Sequence, residues 1–150
     1  MENLWKIAIA SNEIKSPKSI FEEQSKYLSQ MTNNIIYLDV SEYKDNLTSM
    51  FEKIQPDYKL NSTYINYQVN VKSVLLEKYG FSILTYKHDI PFYPVKISLN
   101  PDICKEIYGS DDVAEKIAIG SEDEFVEFVG KILSTNKIEM VINSMLSLSK

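Results

Sequence analysis

The chain has 150 residues, 44% of them hydrophobic and 25% charged, which suits one globular domain spanning residues 1–150. Its formal net charge is −5, and all 16 basic residues are lysine. With no arginine for bidentate phosphate or guanine contacts and no basic run, nucleic-acid binding is not expected.

Leu4–Ala10 (LWKIAIA) reads as a short buried strand. Glu2 precedes Lys6, and the apolar run around Ile7–Ala10 is too short for a secretion signal. No stretch approaches the 18 or so apolar residues that span a bilayer, so no membrane association is expected and a cytoplasmic location is. The triplets Asn46-Leu47-Thr48 and Asn61-Ser62-Thr63 fit the glycosylation pattern and are read as chance.

Ser16-Pro17 predicts a helix start, with Ser16 as cap and Pro17 at the first helical position. Ile20, Phe21, Gln24, Tyr27, Leu28 and Met31 mark its apolar face. Asn33-Asn34 ends it, and Ile35–Val40 reads as a strand. Leu47, Met50, Phe51 and Ile54 have helical spacing before Pro56. Ile65, Tyr67, Val69 and Val71 alternate with polar residues, predicting a strand that gives way to a short helix over Lys72–Tyr79. Phe81–Tyr86 and Phe92–Leu99 read as paired strands, and Pro91 and Pro94 suggest that the second lies at an edge.

Asn100-Pro101 predicts a short helix ended by Gly109, and Lys116–Ile119 a short strand. Ser121 and Glu124 have the spacing of a capping box, and Asn136 and Glu139 offer a second. Phe125, Phe128, Val129, Ile132 and Leu133 give one helix an apolar face. Ile138, Val141, Ile142, Met145 and Leu146 give the last helix another. The expected fold is a single mixed α+β domain, with a short-stranded sheet and two C-terminal helices.

Catalytic motifs are sparse. His88 is the only histidine and Cys104 the only cysteine, and the pair offers a nucleophile, Cys104, with His88 as its base. The competing readings are a surface turn histidine and a structural cysteine. An acidic neighbourhood disfavours a thiolate at Cys104, and a lone cysteine fits a reducing compartment. Gly80, Gly109, Gly120 and Gly130 form no phosphate loop, Asp111-Asp112 lacks the calcium-loop pattern, and no cofactor or metal is expected.

Charge is unevenly distributed. Residues 100–129 hold nine acids, Asp102, Glu106, Asp111, Asp112, Glu115, Glu122, Asp123, Glu124 and Glu127, against Lys105 and Lys116. Asp102, Glu122, Asp123 and Glu124 also suit helix starts, where acids stabilise the dipole. A local charge excess of this size can select a cationic partner. Tyr93 and Tyr108 stand close to it in sequence, and tyrosine is enriched at interfaces.

In general character, a small, acidic, glycine-poor α+β domain of this kind resembles the immunity proteins that bacteria make against their own antibacterial toxins. The resemblance implies a protein that binds and inhibits a basic, nuclease-like toxin or enzyme domain. Its contact surface would be Asp111, Asp112, Glu122, Asp123, Glu124 and Glu127 with Tyr93 and Tyr108. Two alternatives stand beside it: a small enzyme using His88 or Cys104, and a self-associating adaptor whose last helix pairs with a copy of itself.

Overall fold

A computed structural model describes residues 1, 2, 4, 14–43 and 64–150. The strand read over Leu4–Ala10, the helix read around Leu47–Ile54 and both glycosylation triplets lie outside the described residues, Leu4 apart. The elements run α1 (Pro17–Met31), β1 (Ile36–Glu42), β2 (Ile65–Ser73), β3 (Gly80–His88), β4 (Val95–Leu99), α2 (Pro101–Tyr108), β5 (Ile117–Ile119), α3 (Glu122–Leu133) and α4 (Asn136–Leu148). The five strands form one antiparallel sheet in sequence order. The architecture is α+β, with two helices closing the chain. Among the described residues no helix is long and apolar enough to cross a membrane.

Alternation divides the sheet into two faces. Ile36, Leu38, Val69, Val71, Leu84, Tyr86, Val95, Ile97 and Leu99 point inward and are buried. Phe21 and Leu28 of α1, Phe125 and Ile132 of α3, and Ile138 and Met145 of α4 join them in one core. The opposite face carries Tyr37, Asp39, Asn66, Gln68, Asn70, Lys72, Thr85, Lys87, Lys96 and Ser98, none of them buried. Such one-sided burial is characteristic of antiparallel sheets. The alternation breaks once: Val69 pairs Leu84 while Asn70 pairs Ser82, so Ile83 is an extra residue in a bulge. That is why two consecutive residues, Ile83 and Leu84, are both buried.

The helix starts follow local chemistry. The Ser16 hydroxyl accepts from Ser19 N at 3.1 Å, and the Asn100 side chain accepts from Asp102 N at 2.9 Å. Asn33 and Asn34 have φ of 53° and 64°, left-handed conformations that asparagine tolerates better than most residues. They reverse the chain from α1 into β1. The Ser121 hydroxyl accepts from Glu124 N at 3.3 Å, while the Glu124 carboxylate reaches back to Gly120 N at 3.2 Å. The box therefore closes on the residue before the cap.

Three expectations are corrected. Residues 74–79 form tight turns, with Leu76 N donating to Ser73 O and Tyr79 N to Leu76 O, instead of a helix. β2 runs on to Ser73 because β1 and β3 both pair with its end, and ladder formation outweighs the helical spacing. β4 is an inner strand between β3 and β5; Pro91 and Pro94 precede it and take no place in the ladder. The cap of α4 is Thr135, whose hydroxyl accepts from Ile138 N at 3.4 Å, one residue before the predicted Asn136.

Candidate functional site

β4 decides where the acids go. Ile119 pairs with Val95 at the start of β4, and Leu99 N at its end donates to Ala114 O at 2.8 Å. Four residues of strand span about 13 Å. Asp111 and Asp112, just before Ala114, therefore stand at one end of β4. Glu122, Asp123 and Glu124, just after Ile119, stand at the other. The candidate residues form two groups.

The first group surrounds an aromatic cluster. Glu122 is half-buried, while Asp123, Glu124 and Glu127 are exposed on α3. Behind them Phe125 meets Phe21 edge-on at 5.6 Å and Tyr93 at 6.1 Å between ring centroids. The Tyr93 hydroxyl donates to Lys15 O at 3.2 Å. Burial, and then the charge of Glu122, pushes the Tyr93 phenol up to about 12. Tyr86, stacked on Phe21 at 5.8 Å, is also pushed up, first by burial and then by Tyr67, Glu22 and Tyr93. Glu22 on α1 and Glu122 on α3 thus approach the same aromatic cluster from two helices. Ile90, 67% exposed, stands on the β3–β4 loop that carries Phe92 and Tyr93.

The second group lies around Cys104 on α2. Asp111 reaches Lys105 at 3.9 Å, and the Ser110 hydroxyl accepts from Asp112 N at 3.4 Å. Cys104 is buried, and burial followed by Asp111 and Asp112 pushes its thiol up. Tyr108 is exposed, its phenol raised by partial burial and then by Cys104.

The nine acids also divide by task. The two Glu106 carboxylate oxygens accept from Asn136 N and Lys137 N, each at 2.8 Å, and so hold the start of α4. Asp102 pairs with Lys137 at 3.1 Å. Glu127 pairs with Lys131 at 3.7 Å within α3. Among the described residues Asp112, Glu115, Glu122 and Asp123 form no ion pair. The role of Glu106 spans 30 residues of sequence and leaves no local spacing by which it could be read.

His88 and Cys104 do not meet. Leu84 of β3 pairs with Leu99, the residue just ahead of α2, whereas His88 lies four residues along β3, again about 13 Å away. His88 is 3% exposed, so it is not a surface turn residue. Its ring lies near-parallel to both Tyr67 and Tyr86, at 5.8 and 6.1 Å, and meets Phe92 edge-on at 5.6 Å. Its Nδ1 lies 2.7 Å from Asp89 O; a carbonyl can only accept, so Nδ1 carries the proton. Among the described residues no three His, Cys, Asp or Glu side chains converge as a metal site would require.

The face read as a self-pairing seam on α4 is turned inward. Ile138 and Met145 are buried, and Val141, Ile142 and Leu146 pack against the same core. Exposed Met140 and Leu148 occupy another side of α4 and line an apolar pocket of about 260 Å³ with Tyr79 and Leu76. No family model matches this chain, and no curated protein or solved structure matches it.

Proposed function

We propose that this chain is a binding protein of the immunity type, which inhibits a basic toxin-like enzyme domain by covering it. The observation that supports this reading best is the exposed acidic ridge at the start of α3, set against the aromatic β3–β4 loop. Glu122 and Asp123 form no ion pair among the described residues, and Glu127 meets only a lysine on its own helix. Carboxylates held this way are available to cations that another enzyme uses to hold phosphates. Complementary charge would speed encounter and fix the docking register, while Tyr93 or Ile90 would supply contact area. Asp111, Asp112 and Tyr108, at the far end of β4, would form a second, outlying contact.

Charge reversal tests the reading. Changing Glu122, Asp123 and Glu127 together to lysine leaves the core untouched, and Glu124 is kept because it caps α3. The variant should still fold, with a somewhat lower unfolding midpoint because two first-turn acids of α3 are reversed, and should bind its partner with an association rate at least about tenfold slower at low salt. An unchanged association rate would defeat the proposal.

A further inference from the structure

We propose that the outer face of the sheet holds a binding site for a small phosphomonoester with a hydroxylated body. Lys87 on β3 and Lys96 on β4 are direct cross-strand partners. Both point away from the core, since Tyr86 and Ile97 beside them are buried, and both are exposed. Like charges directly opposite one another destabilise a sheet. Elsewhere on the same face Lys72 is neutralised by Asp39 at 3.0 Å. Among the described residues no carboxylate lies within ion-pair reach of Lys87 or Lys96.

The two ammonium groups instead share one ring. Lys87 Nζ lies 5.5 Å and Lys96 Nζ 5.3 Å from the centroid of Tyr64. These distances keep the two cations within about 11 Å of each other. A tyrosine face offsets only part of their repulsion. A cavity of about 400 Å³ opens there, lined among others by Asn66, Thr85, Ser98 and Glu115. That volume is ordinary for a small-molecule site, which spans roughly 300–1,000 Å³.

The lining chemistry selects the ligand. Two lysines serve as point charges for a phosphate, and the Thr85 and Ser98 hydroxyls and the Asn66 amide can donate to its oxygens. Glu115 accepts but cannot donate when ionised, so it would repel a bare dianion and take hydrogen bonds from hydroxyl groups. A phosphate joined to a polyol satisfies both halves. The site lies on the face of the sheet opposite α3, and the inference does not depend on the acidic ridge.

The test is a titration of the isotope-labelled full chain at low ionic strength, followed by amide NMR. The probes are ribose 5-phosphate, inorganic phosphate and ribose. Saturable shifts should appear at Thr85, Lys87, Lys96 and Ser98. Ribose 5-phosphate should bind at least about tenfold tighter than inorganic phosphate, a difference of ~1.4 kcal/mol, and ribose alone should do nothing. Lys96→Glu turns the like-charged pair into an opposite one, so the fold should persist while affinity falls at least about tenfold. Equal affinity in Lys96→Glu, shifts scattered over unrelated lysines, inorganic phosphate binding as tightly, or an oligonucleotide binding tighter than ribose 5-phosphate would each overturn the proposal.

Discussion

Glu106 and Glu124 belong to the same acidic segment as Glu122 and Asp123, yet their carboxylates are spent on backbone N–H groups. Removing such a cap costs about 0.5–2 kcal/mol. Glu106→Ala should lower stability by roughly that amount in urea unfolding, because it leaves two N–H groups of α4 without their acceptor. Asp123→Ala should change stability by less than about 0.5 kcal/mol. Equal effects would contradict this division of labour. Tyr93 makes a different prediction. Its phenol rises from 10 to about 12 on folding, so the neutral form is favoured in the native state. The stability linked to it is complete below pH 10 and is lost as the pH climbs from 10 towards 12. Tyr93→Phe should make the alkaline loss of stability shallower across that interval, as measured by chemical denaturation at stepped pH. An unchanged slope would place the cause elsewhere.

Ser25 and Ser29 of α1 and its C-cap Thr32 stand at helical spacing against β1. The Ser25 hydroxyl accepts from Leu38 N at 3.0 Å and donates to Leu38 O at 3.2 Å. The Thr32 hydroxyl accepts from Ile36 N at 3.0 Å and donates to Leu28 O at 2.9 Å, and the Ser29 hydroxyl donates to Ile36 O at 3.1 Å. The outward groups of Ile36 and Leu38 thus have partners, and this first half of the β1 edge is covered against pairing with another chain. Ser25→Ala with Thr32→Val should cost about 1 kcal/mol per lost bond and make aggregation depend on protein concentration. A variant as stable and monodisperse as the parent would refute the edge-covering role. This contact was not legible in the sequence, because it joins residues 13 apart through tertiary placement. Signals within one helical turn were legible: Ser16, Asn100 and Ser121 cap where expected. The turns over 74–79 and the inner position of β4 were not, because ladder pairing settled both, and the α4 cap fell one residue ahead of its expected place, on Thr135.

The whole molecule presents chemically distinct faces. Helices cover one side of the sheet, with an acidic ridge on α3, while the other side is polar and carries a lysine pair that meets no carboxylate among the described residues. Residue types at the candidate site were readable from composition, but their grouping was not. Asp112 and Glu122 are ten positions apart in sequence, yet they belong to opposite ends of β4 because β5 pairs with that strand antiparallel. The pairing of Cys104 with His88 as nucleophile and base is a different matter: it needs the two adjacent, and the strand register holds them apart. The binding reading makes the ridge around Glu122, Asp123 and Glu127 its centre. Its most direct test is affinity capture from the native host with the parent chain and the triple lysine variant side by side, washed at low and then high salt. The parent should retain one basic protein at one-to-one stoichiometry and release it as salt rises, and the variant should not retain it. The same protein held equally by both chains, or no stoichiometric protein on either, would contradict the account.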